Sequence, residues 1–195
     1  MQLVEQGKLD LDTDVNSYLD FQIPKTYPEP ITMKNLLTHT SGFEESNIGM
    51  LAWQPEQLTL LSDFLKAHIP ARVFPPGMLG AYSNYGAALA GYIVERISGM
   101  PYAEYVEKNI FQPLGMRHSS LRQPLPMDLA LDMAGGYKYM DGEYKQGEFE
   151  LLQAYPAGSV SATGDDMAKF MIAHLQNGSY RFYPLARQWT DGPLA

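Results

Sequence analysis

The 195 residues, 45% hydrophobic and 18% charged, suffice for one folded domain with its own core, which excludes disorder as the main state. Fourteen Lys and Arg against twenty-two Asp and Glu leave a net charge of -8, the wrong sign for a nucleic-acid partner, and the lack of cysteine removes disulfides, thiol nucleophiles and thiolate zinc sites together. No apolar run approaches the ~18 residues of a membrane span, and no basic segment followed by an apolar stretch marks a signal peptide, which leaves export open.

Met1 to Gln6 have helical character, with Gly7 in the place of a C-terminal cap. Fewer than two turns do not nucleate alone, so Met1 is expected to lie inside a longer helix. Asp10, Asp12 and Asp14 alternate like the first ligands of a calcium loop, but Val15 replaces the glycine and Phe21 the final glutamate that such a loop needs. Thr32 is predicted to cap a helix running through Leu36 and Leu37. Leu58, Leu61, Phe64 and Leu65 mark a second helix, and Leu89, Ile93 and Ile97 a third that Gly99 closes. Pro101 is placed at the first position of a fourth. Tyr85 and Tyr92, at helical spacing, are expected in the core. Asp141-Gly142 between two tyrosine-bearing stretches predicts a β-hairpin. Thr163 opens a last helix carrying Met167, Phe170, Met171, His174 and Leu175 on one face, and Gly178 closes it. From 181 to 195 neither period is clear, and an irregular tail is expected after a single unit spanning 1–180.

His39, His68, His118 and His174 lack metal-ligand spacing, so no metal is expected. There is no G-x-S-x-G elbow, phosphate-binding glycine loop or dinucleotide fingerprint. What remains is an ordered series: Leu36-Leu37-Thr38-His39-Thr40-Ser41-Gly42-Phe43, Pro76-Gly77, Tyr82-Ser83-Asn84-Tyr85-Gly86, Ile97-Ser98-Gly99 and Phe111-Gln112-Pro113-Leu114-Gly115-Met116. It is flanked by Met1 to Asp10 and by Pro156-Ala157-Gly158-Ser159-Val160-Ser161-Ala162-Thr163. From Met1 to about Tyr180 the chain resembles the serine β-lactamases of the class C type, with their related penicillin-binding proteins, D-Ala-D-Ala carboxypeptidases and esterases.

The resemblance implies an α+β fold of the serine β-lactamase/DD-peptidase type, represented mainly by its helical lobe with a short β-hairpin and with most of the antiparallel sheet missing. It implies a bacterial, extracytoplasmic enzyme without metal or organic cofactor, acting on a β-lactam, a peptidoglycan-like D-Ala-D-Ala peptide or a small ester. Tyr82 becomes the candidate general acid or base and Asn84 the substrate-side hydrogen-bond donor. Gly158 and Ser159 are candidates for the cleft lining, while Ser83, His39 and Ser41 are expected to shape the site. The chain departs from the family in its nucleophile: no serine has a lysine three residues on, Ser119 coming closest with Arg122 in that place. The family places its S-x-x-K and K-T-G-like motifs outside the matching segment, so truncation at both ends, inactivity of the isolated chain and self-association through exposed apolar surface are expected. The alternatives are a non-catalytic folding fragment or interaction module, and a split enzyme completed by another chain.

Overall fold

The computed structural model describes residues 1–180 and 183–185. Its helices start where local signals place them. α1 (Gln2–Glu5) ends before Gly7, whose φ of 67° is left-handed. α2 (Met33–Leu37) opens on a reciprocal capping box: Thr32 Oγ1 accepts from the Asn35 amide, and Asn35 Oδ1 from the Thr32 amide. α3 (Leu61–Ala67) begins later than the apolar spacing suggests. Leu58 instead ends a separate 3-10 turn, Pro55–Gln57, whose start Gln57 Oε1 caps by accepting the Trp53 and Gln54 amides, and its extended ψ of 130° separates that turn from α3.

α4 (Asn84–Ser98) runs from its N-cap Ser83 to Gly99, left-handed at φ 71°. α5 (Tyr102–Val106) continues through a π-helical turn, Glu107–Phe111, into α6 (Gln112–Leu114). Pro101 is the N-cap of α5, not its first helical residue. Its ψ of 141° keeps it extended, and the first helical amide, that of Tyr102, donates to Glu95 at 2.9 Å. α7 (Met127–Ala130) follows, and α8 (Gly164–Leu175) starts from the Thr163 cap.

Strands are short and pair antiparallel: β1 (Leu51–Ala52) with β5 (Leu151–Leu152), β2 (Ser119–Ser120) with β6 (Ser161–Ala162), β3 (Tyr137–Met140) with β4 (Glu143–Gln146), and β7 (Ser179–Tyr180) with β8 (Tyr183–Pro184). The β3–β4 turn has Asp141 and Gly142 both at positive φ, as a two-residue hairpin turn requires. β8 and the buried Leu185 belong to what the sequence suggested was tail; the rest of that stretch lies outside the described residues.

α4 is the axis of the main core. Ala88, Leu89 and Ile93 are fully buried on it, and Tyr85 and Tyr92 nearly so, packed among α1, α2 and α3. A second cluster gathers Phe111, Leu114, Met116 and Leu121 against Ala173 of α8. The face of α8 differs from the expected one. Asp166 and Ala173 point inward, while Met171 and Leu175 are 60% and 82% exposed. The rotation has a polar cause. Asp166, 1% exposed, accepts from the His118 amide at 2.7 Å and the Ser119 hydroxyl at 3.0 Å, and pairs with Lys169 at 2.6 Å.

Burial alone would raise the Asp166 pKa; the Lys169 ammonium and the two donors outweigh it and hold the carboxyl below its ordinary value. Its contribution to stability is therefore present above the unfolded pKa of about 3.9 and disappears as pH falls through the folded value. Asp166→Asn is expected to cost about 1.5–3 kcal/mol at pH 7, and less than that below about pH 4. Urea unfolding of both proteins at pH 7 and pH 3 checks this; a penalty unchanged between the two would contradict it.

Candidate active site

The segment from His39 to Glu45 folds back along residues 71–84. After α2, His39 adopts φ 54°, an uncommon conformation for a residue with a side chain, and reverses the chain. Its carbonyl accepts the Ala81 amide at 2.7 Å, Thr40 O accepts Gly77 N–H at 2.8 Å, and Gly42 O accepts Val73 N–H at 2.8 Å. Gly42 has no substitute at this crossing. Its φ is 77°, and a Cβ there would collide with the carbonyl of Phe74. Phe43, 1% exposed, anchors the loop edge-on against Tyr85 at 5.0 Å.

This loop holds Tyr82-Ser83-Asn84. Ser83 is fully buried and extended (φ -145°, ψ 113°), and its Oγ accepts the Gly86 amide at 3.0 Å to cap α4. Alternate residues of an extended chain share a face. With Ser83 turned in, Tyr82 and Asn84 turn out together, and the Tyr82 hydroxyl donates to Asn84 Oδ1 at 3.1 Å. His39 Nδ1 accepts the Ser83 amide at 3.3 Å, an assignment that puts its proton on Nε2, and its ring lies 4.6 Å from that of Tyr82. Glu45 completes the group: its carboxylate accepts from Asn84 N–H at 3.0 Å and from Asn84 Nδ2 at 2.6 Å.

The tyrosines nearby are not equivalent. Burial holds Tyr85 protonated well above the ordinary range, and its hydroxyl is committed to Leu65 O. Burial and then the Asp20 carboxylate push Tyr92 up to about 12. Tyr82, 59% exposed, is open to solvent.

The sequence candidates divide accordingly. Tyr82, Ser83, Asn84 and His39 come together. Ser41 is buried beneath them, its Oγ in contact range of Gly86. Gly158 and Ser159 do not join by any hydrogen bond among the described residues. Ser159 is buried with its hydroxyl on Leu121 O at 3.2 Å, whereas Gly158 is exposed. Ser119 and Arg122, the nearest approach to an S-x-x-K pair, are engaged by Asp166 and Glu107 respectively. Glu45 was not singled out by the motifs; a carboxylate two residues past Phe43 carries no spacing signature until the loop is folded against α4. An apolar groove of about 960 Å3 lies elsewhere, between α1, α2, α4, α5 and α8, lined among others by Leu3, Leu36, Val94, Tyr105 and Phe170, and it shares His39 with the cluster.

Residues 1–193 match the family model described as Beta-lactamase. The chain belongs to the beta-lactamase family. Its relatives include a Bacillus subtilis protein described as "Putative penicillin-binding protein PbpX", 32% identical over 98% of this chain and 46% of that one. The D-alanyl-D-alanine-carboxypeptidase/endopeptidase AmpH of Escherichia coli is 26% identical over 93% of this chain and 46% of its own. The crystal structure of a penicillin binding protein from Bacillus halodurans superposes with a TM-score of 0.70 at 32% identity, covering 90% of this chain and 54% of that one. The fold is thus the serine β-lactamase/DD-peptidase fold. The chain spans about half the length of the curated relatives it matches.

In this beta-lactamase-family chain the His39–Glu45 loop should be intolerant at Gly42. Gly42→Ala combines backbone strain with a clash against Phe74 O and is expected to cost more than about 2 kcal/mol. Thermal unfolding of the variant reads this directly, and a melting temperature unchanged from wild type would refute the crossing described.

Proposed function

We propose that this chain contributes the Tyr82–Asn84 edge of an acyl-transfer site in a serine hydrolase of the penicillin-binding-protein type. The observation that carries the reading is the exposed Tyr82 hydroxyl joined to Asn84, both fixed on one face by the buried Ser83 cap. In such a site a serine Oγ attacks the carbonyl carbon of an amide or ester, and its proton passes through Tyr82 Oη to the leaving nitrogen or oxygen. The acyl-enzyme then yields to water, whose proton returns by the same hydroxyl to the serine. Asn84 Nδ2 has a second N–H beyond the one given to Glu45, free to donate to a substrate carbonyl oxygen.

On this reading the serine nucleophile is supplied from outside these 195 residues, since none of their serines is followed by lysine at the third position. The apolar groove supports the same reading. A helix about 10 Å across would fill its 960 Å3 with roughly two turns, and Met167, Phe170 and Tyr105 line it with apolar surface that water solvates poorly. The substrate class that fits the relatives' names is a D-Ala-D-Ala peptide or a β-lactam, with a small ester as the alternative. A non-catalytic module that reuses this lobe is the second reading, favoured by the missing serine-lysine pair.

The 195-residue chain is expected to show no hydrolysis of nitrocefin or p-nitrophenyl acetate above a heat-treated control, and to bind a hydrophobic dye or self-associate through the groove. Supplied with an S-x-x-K segment and the later motif in one polypeptide, it is expected to gain turnover. Tyr82→Phe should then lower turnover by about 10²- to 10⁴-fold, and Asn84→Ala should weaken acylation to a degree that differs between β-lactam and ester. Full activity in Tyr82→Phe would remove the role given to that hydroxyl, and no turnover in the extended protein, if folded, would favour the non-catalytic reading.

A further inference from the structure

The Glu45 carboxylate touches the candidate site without belonging to the motifs that define it. Both its oxygens are bonded to Asn84, one to the backbone amide and one to the side-chain nitrogen. These bonds orient the Asn84 amide: Oδ1 faces the Tyr82 hydroxyl and Nδ2 faces Glu45, and a flip would set Oδ1 against the acceptor-only carboxylate. Among the described residues no lysine, arginine or histidine forms an ion pair with Glu45; the four ion pairs use other carboxylates. Glu45 is exposed, as is its neighbour Glu44. A full negative charge therefore stands one side chain away from the N–H that Asn84 has left for a substrate.

We propose that Glu45 determines charge specificity at this site: it favours acyl donors that carry an ammonium group beside the scissile carbonyl and disfavours those that carry a carboxylate there. The inference rests on reading Tyr82 and Asn84 as the substrate edge. A substrate carbonyl bonded to Asn84 Nδ2 places the group on its α-carbon within a few ångströms of the Glu45 oxygens. At that range, at a partly solvated site, one unit charge changes affinity by about 3- to 10-fold in the direction of its sign. The same carboxylate positions Asn84, so removing it outright would confuse orientation with charge. Glu45→Gln removes the charge and keeps one of the two bonds, its single acceptor oxygen facing Asn84 Nδ2, and Asn84 side-chain amide signals that hold their position in the variant show that the orientation is retained.

The test is a titration of the isotope-labelled 195-residue chain, following the backbone and side-chain amides of Tyr82, Ser83 and Asn84 by NMR. The three probes are D-alanine amide, its neutral N-acetyl derivative, and the anionic 2-methylmalonamate, which carries a carboxylate on the α-carbon where D-alanine amide carries the ammonium. The wild type is expected to bind the cation about 3- to 10-fold more tightly than the neutral probe, and the anion most weakly. Glu45→Gln should level the three, and Glu44→Gln, which changes net charge equally but does not touch Asn84, should keep their order. Equal binding of all probes by the wild type, an order that survives Glu45→Gln, or an equal loss in both variants would each overturn the role of Glu45. If no probe moves the Tyr82 and Asn84 signals in a chain whose spectrum is dispersed, the substrate-edge reading itself fails and takes this assignment with it.

Discussion

The structure depends on one arrangement: the buried, extended Ser83, held from above by the His39–Glu45 loop and from below by the first turn of α4. Ser83 gives its amide to His39 and takes the Gly86 amide, and those two bonds decide that Tyr82 and Asn84 face outward as a pair. Everything that positions the loop serves this. The left-handed turn at His39, the glycine crossing at Phe74 O and the Phe43 anchor on Tyr85 are each costly to alter, because they bind one short segment to the longest helix. A strained residue such as His39, at φ 54°, persists where its surroundings overdetermine it, and here the surroundings are the candidate site.

The same helix supplies both the site and the core. Its N-terminal turn carries Asn84, and its next turns bury Ala88, Leu89 and Ile93, so the motif is mounted on a helix packed into the main core. Accessibility then sorts the chemistry. Tyr85 and Tyr92 are held protonated by burial and, at Tyr92, by the Asp20 carboxylate, whereas Tyr82 is exposed. Away from the site, Asp166 ties α8 to the Met116–Ser120 strand entry and turns Met171 and Leu175 outward. Met167 and Phe170 of the same helix line the apolar groove.

Much of this was legible in the sequence because it follows from short-range rules. The Thr32 cap, the Gly99 and Gly7 stops, the Asp141-Gly142 turn and the core tyrosines need only neighbours a few residues away. The errors come where a side-chain bond or a local turn, and in two cases a partner far along the chain, decides. Pro101 became a cap because Glu95 takes the next amide, and Leu58 fell out of α3 because a separate 3-10 turn ends on it in extended conformation. The face of α8 was read from its apolar spacing, whereas a buried carboxylate bonded 47 residues away set its rotation. Glu45 was invisible for the same reason, since its partner Asn84 is 39 residues distant. In the motif Tyr82-Ser83-Asn84 the reason that the middle residue is serine, and that its two neighbours turn outward together, appears only once Ser83 is seen as a helix cap.

The central claim is that Tyr82 and Asn84 are presented by a clamp and not by a loose loop. Amide hydrogen exchange of Ala81, Ser83 and Asn84 tests it most directly, because each of these N–H groups donates to the His39–Glu45 segment. The account predicts protection of all three that approaches the level of the buried α4 amides and that falls together in His39→Ala. Exchange at the rate of an unstructured loop, with α4 protected, would contradict it.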